Sequence, residues 1–470
     1  MKTGDGTSKK MKRRGRIRAK RRGRIRAKRR GAVMATVAGV AGVIAFSGFA
    51  AIAQKQSVRA NPSTGAAVAG FARNSDAQAN ISASAAITGL PQHQSLQVNA
   101  DVDVAGTGLA LEQSARTNAP AQTARAGQAA TEAFTREDAR AAIAASQAIA
   151  TGGINELKTV EIGGIKQWIS VRGNNPANPI LLFLHGGPGS PMMPESWTFQ
   201  KPWEDFFTVV QWDQRGTGKT FSAMNRQPDK SMTIEKMQAD AEELIELLLR
   251  TYGKKKIFLM GHSWGSILGV KVAQHRPDLL YAYIGVGQVV NGERNEVVGY
   301  RETLAQAEKV GNQAAIQALE AMAPYPNPEG FTPMAKVLAE RRWDVALGGM
   351  VYGQTKNDVS RIWALSPEYT DYDDASAGLG EISSVEILLP QMEKVNFDKV
   401  TTFQCPVFIF AGAEDRTTPE SVAEKYYESI QAPEKRFFKI ERAAHYVVTE
   451  APGEVLMDLV EYVRPVGERQ

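Results

Sequence analysis

The sequence predicts an α/β protein: a mostly parallel eight-stranded sheet with helices on both faces and a mainly helical insertion after the sixth strand. Three observations carry that expectation. From about residue 154 onward, short apolar runs alternate with segments of helical periodicity, as layered α/β domains do. The later runs are apolar throughout, which suits strands covered on both faces of a parallel sheet. One of them, 256–260, leads through Gly261-His262-Ser263-Trp264-Gly265 directly into a helix-like stretch from Ser266 to His275. A strand, a sharp turn carrying a serine between small residues, and a helix together expose the serine oxygen at a helix N-terminus.

Strands are expected at 157–162, 165–171, 180–184, 208–212, 256–260, 281–286, 407–411 and 437–440. Gly163-Gly164 reads as a hairpin turn between the first two. A helix opens near Thr233, because Ile234, Met237, Ala241, Leu244, Ile245 and Leu248 recur at helical spacing. Between about 288 and 402 the alternation lapses into helical and loop-like sequence, long enough for a cap over the site. The body, 154–470, holds all seven tryptophans and all twelve tyrosines.

The preceding residues differ in kind. Residues 1–30 carry sixteen Lys and Arg against one Asp and include an eight-residue duplication, RRGRIRAK at 13–20 and again at 21–28. Such a tract cannot bury a core. The whole chain is +6, so the remainder is net negative and the basic balance says little about nucleic-acid binding by the body. Residues 31–53 lack charge but are rich in Ala and Gly, and end in Ala51-Ile52-Ala53. This reads as a secretory signal, with Arg29-Arg30 hinting at the twin-arginine type; an uncleaved membrane anchor is the alternative. Either would make the body exported or membrane-anchored. A start site placed too early would leave it cytoplasmic. Residues 54–153 have too little large apolar surface to order themselves and read as a linker. One capped helix is expected in it, opening at Thr135-Arg136-Glu137-Asp138 and stopped by Gly152-Gly153. One cysteine, Cys405, excludes an intrachain disulfide and a cysteine-rich metal site.

A serine hydroxyl needs a base within reach and a carboxylate to orient that base. In doubly wound sheets of this kind the chain order is serine, acid, histidine. Of the five histidines, His93, His185, His262, His275 and His445, two follow Ser263. His275 lies about three turns down the helix that begins at the serine and points away from it. His445, in a loop after the last strand, remains as the base. Asp415, in the loop after 407–411, is the candidate acid, with Glu414 as the alternative. Oxyanion donors are expected from the N–H of Trp264 and, in His185-Gly186-Gly187-Pro188-Gly189, from that of Gly187. His185 reads as a structural loop residue. No cofactor or metal is called for.

Together, HGGPG at 185–189, DQRGTG at 213–218 and GHSWGS at 261–266 resemble the proline iminopeptidase group of the α/β-hydrolase superfamily. The resemblance covers roughly residues 155–470. It implies the α/β-hydrolase fold, a helical cap, no metal, and removal of an N-terminal residue, often proline, from peptides; the expected serine chemistry is acyl transfer to water through a covalent acyl-enzyme. Ser263, Asp415 and His445 match the family triad, and Gly187 and Trp264 its oxyanion donors. His262 departs from the family's usual glycine, and Lys219-Thr220 from its Arg-Ser. Asp213 and Arg215 read as a loop ion pair supporting the site. Cap carboxylates bind the substrate amino group in the family; Glu293 and Glu296 are the candidates here, set against plain surface charge. The expected partner is thus a small peptide, or a small ester or amide if the protein is an esterase or amidase, with no specific nucleic acid. Residues 31–53 could tether it to a membrane. A non-catalytic binding protein with a nucleic-acid-binding basic tail is the alternative from another class. Nothing in the sequence fixes an oligomeric state.

Overall fold

The computed structural model describes residues 134–328, 332–357 and 359–469. The basic tail (1–30), the signal or anchor segment (31–53) and the linker up to residue 133 lie outside the described residues. Among those described, no helix is long and apolar enough to cross a membrane.

All eight expected strands form. They are β1 (Ile154–Ile162), β2 (Ile165–Gly173), β3 (Ile180–Leu184), β4 (Thr208–Asp213), β5 (Ile257–His262), β6 (Leu280–Val286), β7 (Val407–Gly412) and β8 (Lys435–Ile440). Their order in the sheet is β1-β2-β4-β3-β5-β6-β7-β8. Gly163-Gly164 turns the antiparallel β1–β2 hairpin, with Ile162 opposite Ile165, and β2 pairs antiparallel with β4. From β4 through β8 every neighbouring pair is parallel.

The unbroken apolar runs follow from period-two geometry in a sheet covered twice. In β3, Ile180, Leu182 and Leu184 pack into one core cluster while Leu181 and Phe183 pack into the other. Strands β5 and β7 divide in the same way, Val407 and Ile409 to one side and Phe408 and Phe410 to the other. Each fully buried side chain of this size contributes about 1.5–3 kcal/mol. The sheet is therefore the rigid part on which the site is mounted.

In chain order the helices are α1 (Arg136–Ser146), α2 (Gly218–Ala223), α3 (Ile234–Tyr252) and α4 (Trp264–His275). Thr135 closes a capping box on α1, and Thr233 caps α3, which stops at Gly253 in the left-handed conformation (φ 63°). Helix α1 buries no residue of its own; Arg136 and Arg140 pair with Asp371, and Arg140 Nε donates to Ala364 O at 2.8 Å. Between β6 and β7 the chain leaves the sheet to build the insertion: α5 (Gly292–Lys309), α6 (Gln313–Glu320), α7 (Met334–Ala346), α8 (Ser360–Trp363) and α9 (Asp371–Met392). It returns to the sheet at Val407, and α10 (Glu420–Ser429) links β7 to β8.

Candidate active site

Strand β5 ends at His262, and Ser263 turns the chain into α4 with φ 53° and ψ −119°, a backbone that L-residues rarely adopt. The turn is possible because Gly261 and Gly265, two residues to either side, have no side chains. A Cβ on Gly261 would come within 2.4 Å of Gly265 O, and one on Gly265 within 2.1 Å of Leu184 O. Ser263 N–H donates to Val286 O at 2.9 Å, which anchors the strained residue to β6.

His445 and Ser263 line the same cavity. The imidazole Nδ1 donates to Asp415 Oδ2 at 2.9 Å, which leaves Nε2 as the acceptor. Asp415 is buried at the end of β7, and its other contacts fix its plane. Thr417 N–H and Thr418 N–H donate to Oδ1 at 2.9 and 2.8 Å, and Thr418 Oγ1 donates to Oδ2 at 2.8 Å. The alternative acid, Glu414, has its side chain 48% exposed and lies 3.3 Å from Arg416 Nη1, away from the imidazole. Asp415 is the carboxylate that meets His445.

The departure at His262 has a visible consequence. Its Nε2–H donates to His445 O at 2.8 Å, and the two rings lie 4.9 Å apart. Burial pushes His262 down to about 3, so it is neutral, and its Nδ1 has no partner among the described residues. His185 is likewise buried and held down to about 4 by desolvation. Its Nδ1 donates to Gly186 O at 2.9 Å, and Gln214 N–H reaches its Nε2 at 3.4 Å. Gln214 also accepts from Trp264 Nε1 at 3.1 Å. His185 thus joins the 185–189 loop to the 213–218 loop. Gly187, with φ 105°, lines the cavity beside Ser263, and the Trp264 N–H stands at the first helical position, where no intrahelical acceptor exists.

The expected ion pair between Asp213 and Arg215 does not form. Arg215 reaches instead across to α3, where Nε meets Asp240 Oδ2 at 2.9 Å, and it also pairs with Asp229 at 3.0 Å and the Gly163 carbonyl at 2.9 Å. Asp213 closes the end of β4: Lys219 N–H donates to it at 2.7 Å and the Tyr369 hydroxyl donates from the insertion. Burial raises Asp213 to about 7. Lys219 itself pairs with Asp373 of α9 at 2.8 Å over the Trp168 ring. Its ammonium is therefore occupied in holding the insertion to the sheet.

The insertion covers Ser263 and encloses a cavity of about 150 Å³. One segment of it, 344–352, is tied to the loops of both Asp415 and His445. His445 N–H donates to Met350 O at 3.1 Å, Arg416 Nη2 to Leu347 O at 2.7 Å, and Thr417 Oγ1 to Asp344 Oδ2 at 2.9 Å. Glu450 completes the tie by accepting from Ala444 N–H at 3.0 Å and from Tyr352 N–H.

Four carboxylates line this cavity: Glu195, Glu296, Glu381 and Glu393. Glu296 was expected from the sequence, but it is engaged by Arg341 and the Tyr325 hydroxyl. Glu293, the other candidate, sits on the exposed face of α5 and does not line the cavity. Glu393, half-buried, accepts from Thr332 N–H at 3.1 Å and pairs with no cation among the described residues; the fully buried carboxylates without a cation are Glu195 and Glu381, both missed by sequence reasoning. Burial pushes Glu195 up to about 8, and proximity to Glu381 adds to the rise. Trp363 Nε1 donates to Glu195 Oε1 at 2.9 Å, while Oε2 has no partner among the described residues. Burial raises Glu381 to about 7, with the Ser190 side chain as its donor. Among the described residues, no cluster of His, Cys, Asp and Glu could hold a metal ion.

Comparison with known proteins identifies the fold. A family model described as the alpha/beta hydrolase fold matches residues 179–452. The Probable aminopeptidase YbaC of Bacillus subtilis (strain 168) is 32% identical over 301 residues, covering 63% of this chain and 92% of that protein. A proline iminopeptidase of Neisseria gonorrhoeae is 34% identical over 119 residues, 25% of this chain and 36% of its own. Among solved structures, a membrane phospholipase A, titled a novel bacterial virulence factor, superposes with a TM-score of 0.50 at 15% identity, over 71% of this chain and 93% of that one, and so shares the fold. The chain belongs to the α/β hydrolase fold family, and within it is a hydrolase similar to the proline iminopeptidases.

Proposed function

We propose that the protein is a serine aminopeptidase that releases the N-terminal residue of small peptides through a covalent acyl-enzyme. Ser263 Oγ attacks the first peptide carbonyl carbon while His445 Nε2 takes the hydroxyl proton. Asp415 holds the tautomer and stabilises the imidazolium. The N–H groups of Gly187 and Trp264 hold the oxyanion. As the C–N bond breaks, His445 returns the proton to the departing amine. Water, deprotonated by the same imidazole, then attacks the ester and frees the amino acid and Ser263.

The observation that carries the peptidase reading is the pair Glu195 and Glu381, two buried carboxylates without a cation in the cavity that holds Ser263. Buried carboxylates are costly unless a positive group reaches them. A substrate α-ammonium is that group. Turnover of an aminoacyl arylamide, of the same arylamide with its amine acetylated, and of a short-chain aryl ester tests this, with Ser263→Ala as control. Cleavage of the free-amine arylamide, lost on acetylation, is expected. Ester turnover alone would replace the peptidase by an esterase, a reading that the aliphatic remainder of the cavity wall favours.

A further inference from the structure

Apart from its charged groups, the wall that the insertion turns toward the cavity of Ser263 is aliphatic and rich in methionine. Helix α9 supplies Val385, Leu389 and Met392 at helical spacing, α7 supplies Met334, and Met192 and Met350 close the sides. Among the described residues, Tyr446 is the single Phe, Tyr or Trp lining the cavity, and its ring stands edge-on to that of His445 at 83°. A pyrrolidine ring is short and rigid and gains most from a flat aromatic face. Methionine side chains, unbranched with three rotatable bonds, conform instead to long and irregular aliphatic groups.

The acceptors accommodate such a residue: Glu195 Oε2 has no partner among the described residues, and the two carboxylates have room for all three N–H donors of a primary ammonium. Resting on the aminopeptidase reading above, we propose that the acyl pocket selects a primary-amine N-terminal residue with a long aliphatic side chain, leucine or methionine, and disfavours N-terminal proline.

The test compares kcat/KM for the arylamides of leucine, methionine, alanine and proline, with a short-chain aryl ester alongside. Leucine and methionine should exceed proline by at least tenfold, because each well-placed methylene in an apolar pocket is worth about tenfold or more. Proline equal to or better than leucine would overturn the proposal while leaving the aminopeptidase standing. Cleavage of the ester with no arylamide cleaved would overturn the aminopeptidase and this proposal together. Two variants locate the pocket. Leu389→Phe and Met334→Phe, each at a half-buried position, should narrow it and cut leucine turnover relative to alanine by about tenfold, mainly in KM. An unchanged leucine-to-alanine ratio in both would also overturn it, by removing this wall from the acyl pocket.

Discussion

The cavity has two acidic ends that look alike in composition and differ in what balances them. At one end Glu296 meets the Arg341 guanidinium, which also holds the buried Glu340. At the other, Glu195 and Glu381 face each other's charge with no cation, and burial lifts both toward neutrality. At the first, a guanidinium of the protein already meets both carboxylates, although Glu340 Oε1 has no partner among the described residues. The second has no cation of its own, which is why the proposed function gives it the substrate ammonium.

The largest test removes the hydroxyl proposed to attack any substrate bound in the cavity. Ser263→Ala should lower kcat by about 10⁴-fold or more with the cavity intact; turnover within tenfold of the parent would remove the serine from the chemistry. Next, Arg341→Met strands Glu340 and Glu296, and should cost about 3–5 kcal/mol of stability, read as a Tm lowered by about 5–10 °C. An unchanged melting curve would erase the distinction between the ends. At the other end, Glu195→Gln or Glu381→Gln should lower kcat/KM for free-amine arylamides by about 30–100-fold and leave ester hydrolysis within about twofold.

The same pair sets a pH dependence. Because their folded pKa values, about 8 and about 7, lie above the ordinary 4.5, the folded protein retains protons that the unfolded chain has released. Their contribution to stability is therefore fully present below about pH 4.5 and is lost as pH rises through 7 to 8. Glu195→Gln should flatten that decline in urea titrations. Activity moves the other way: kcat/KM for amine substrates should rise from pH 6 as the pair ionises, then fall as the substrate amine itself loses its proton near about pH 8. An ester substrate should lack the rise assigned to the pair. The smallest effect belongs to His262→Ala. Loss of its bond to the His445 carbonyl should lower kcat about fivefold to tenfold with KM unchanged.

What was legible in the sequence follows from how local each signal is. The parallel strands were readable because both faces of each are covered, as the division of β3 between two core clusters illustrates. Ser263 was readable from small neighbours that the strained turn requires, and His445 from elimination among five histidines in a fixed chain order. The partner of Arg215 was misread because Asp213, close in sequence, is claimed by Lys219 and Tyr369, while Asp240 is brought near by helix α3. Glu195 and Glu381 carried no local signal at all. They stand far apart in the sequence, one beyond the oxyanion loop and the other in mid-helix, and only the folded insertion brings both into one cavity.

The bonds from segment 344–352 to the loops of Asp415 and His445 bear on modularity. Exchanging the insertion for that of a relative is an obvious route to a new specificity in this architecture. Here such a chimera would lose the Met350 carbonyl under His445, the Leu347 carbonyl under Arg416 and the Asp344 carboxylate beside Thr417 at the same stroke. The insertion and the loops of Asp415 and His445 are thus inherited as one unit in this chain, and a graft must either keep residues 344–352 or bring its own equivalents with the new helices.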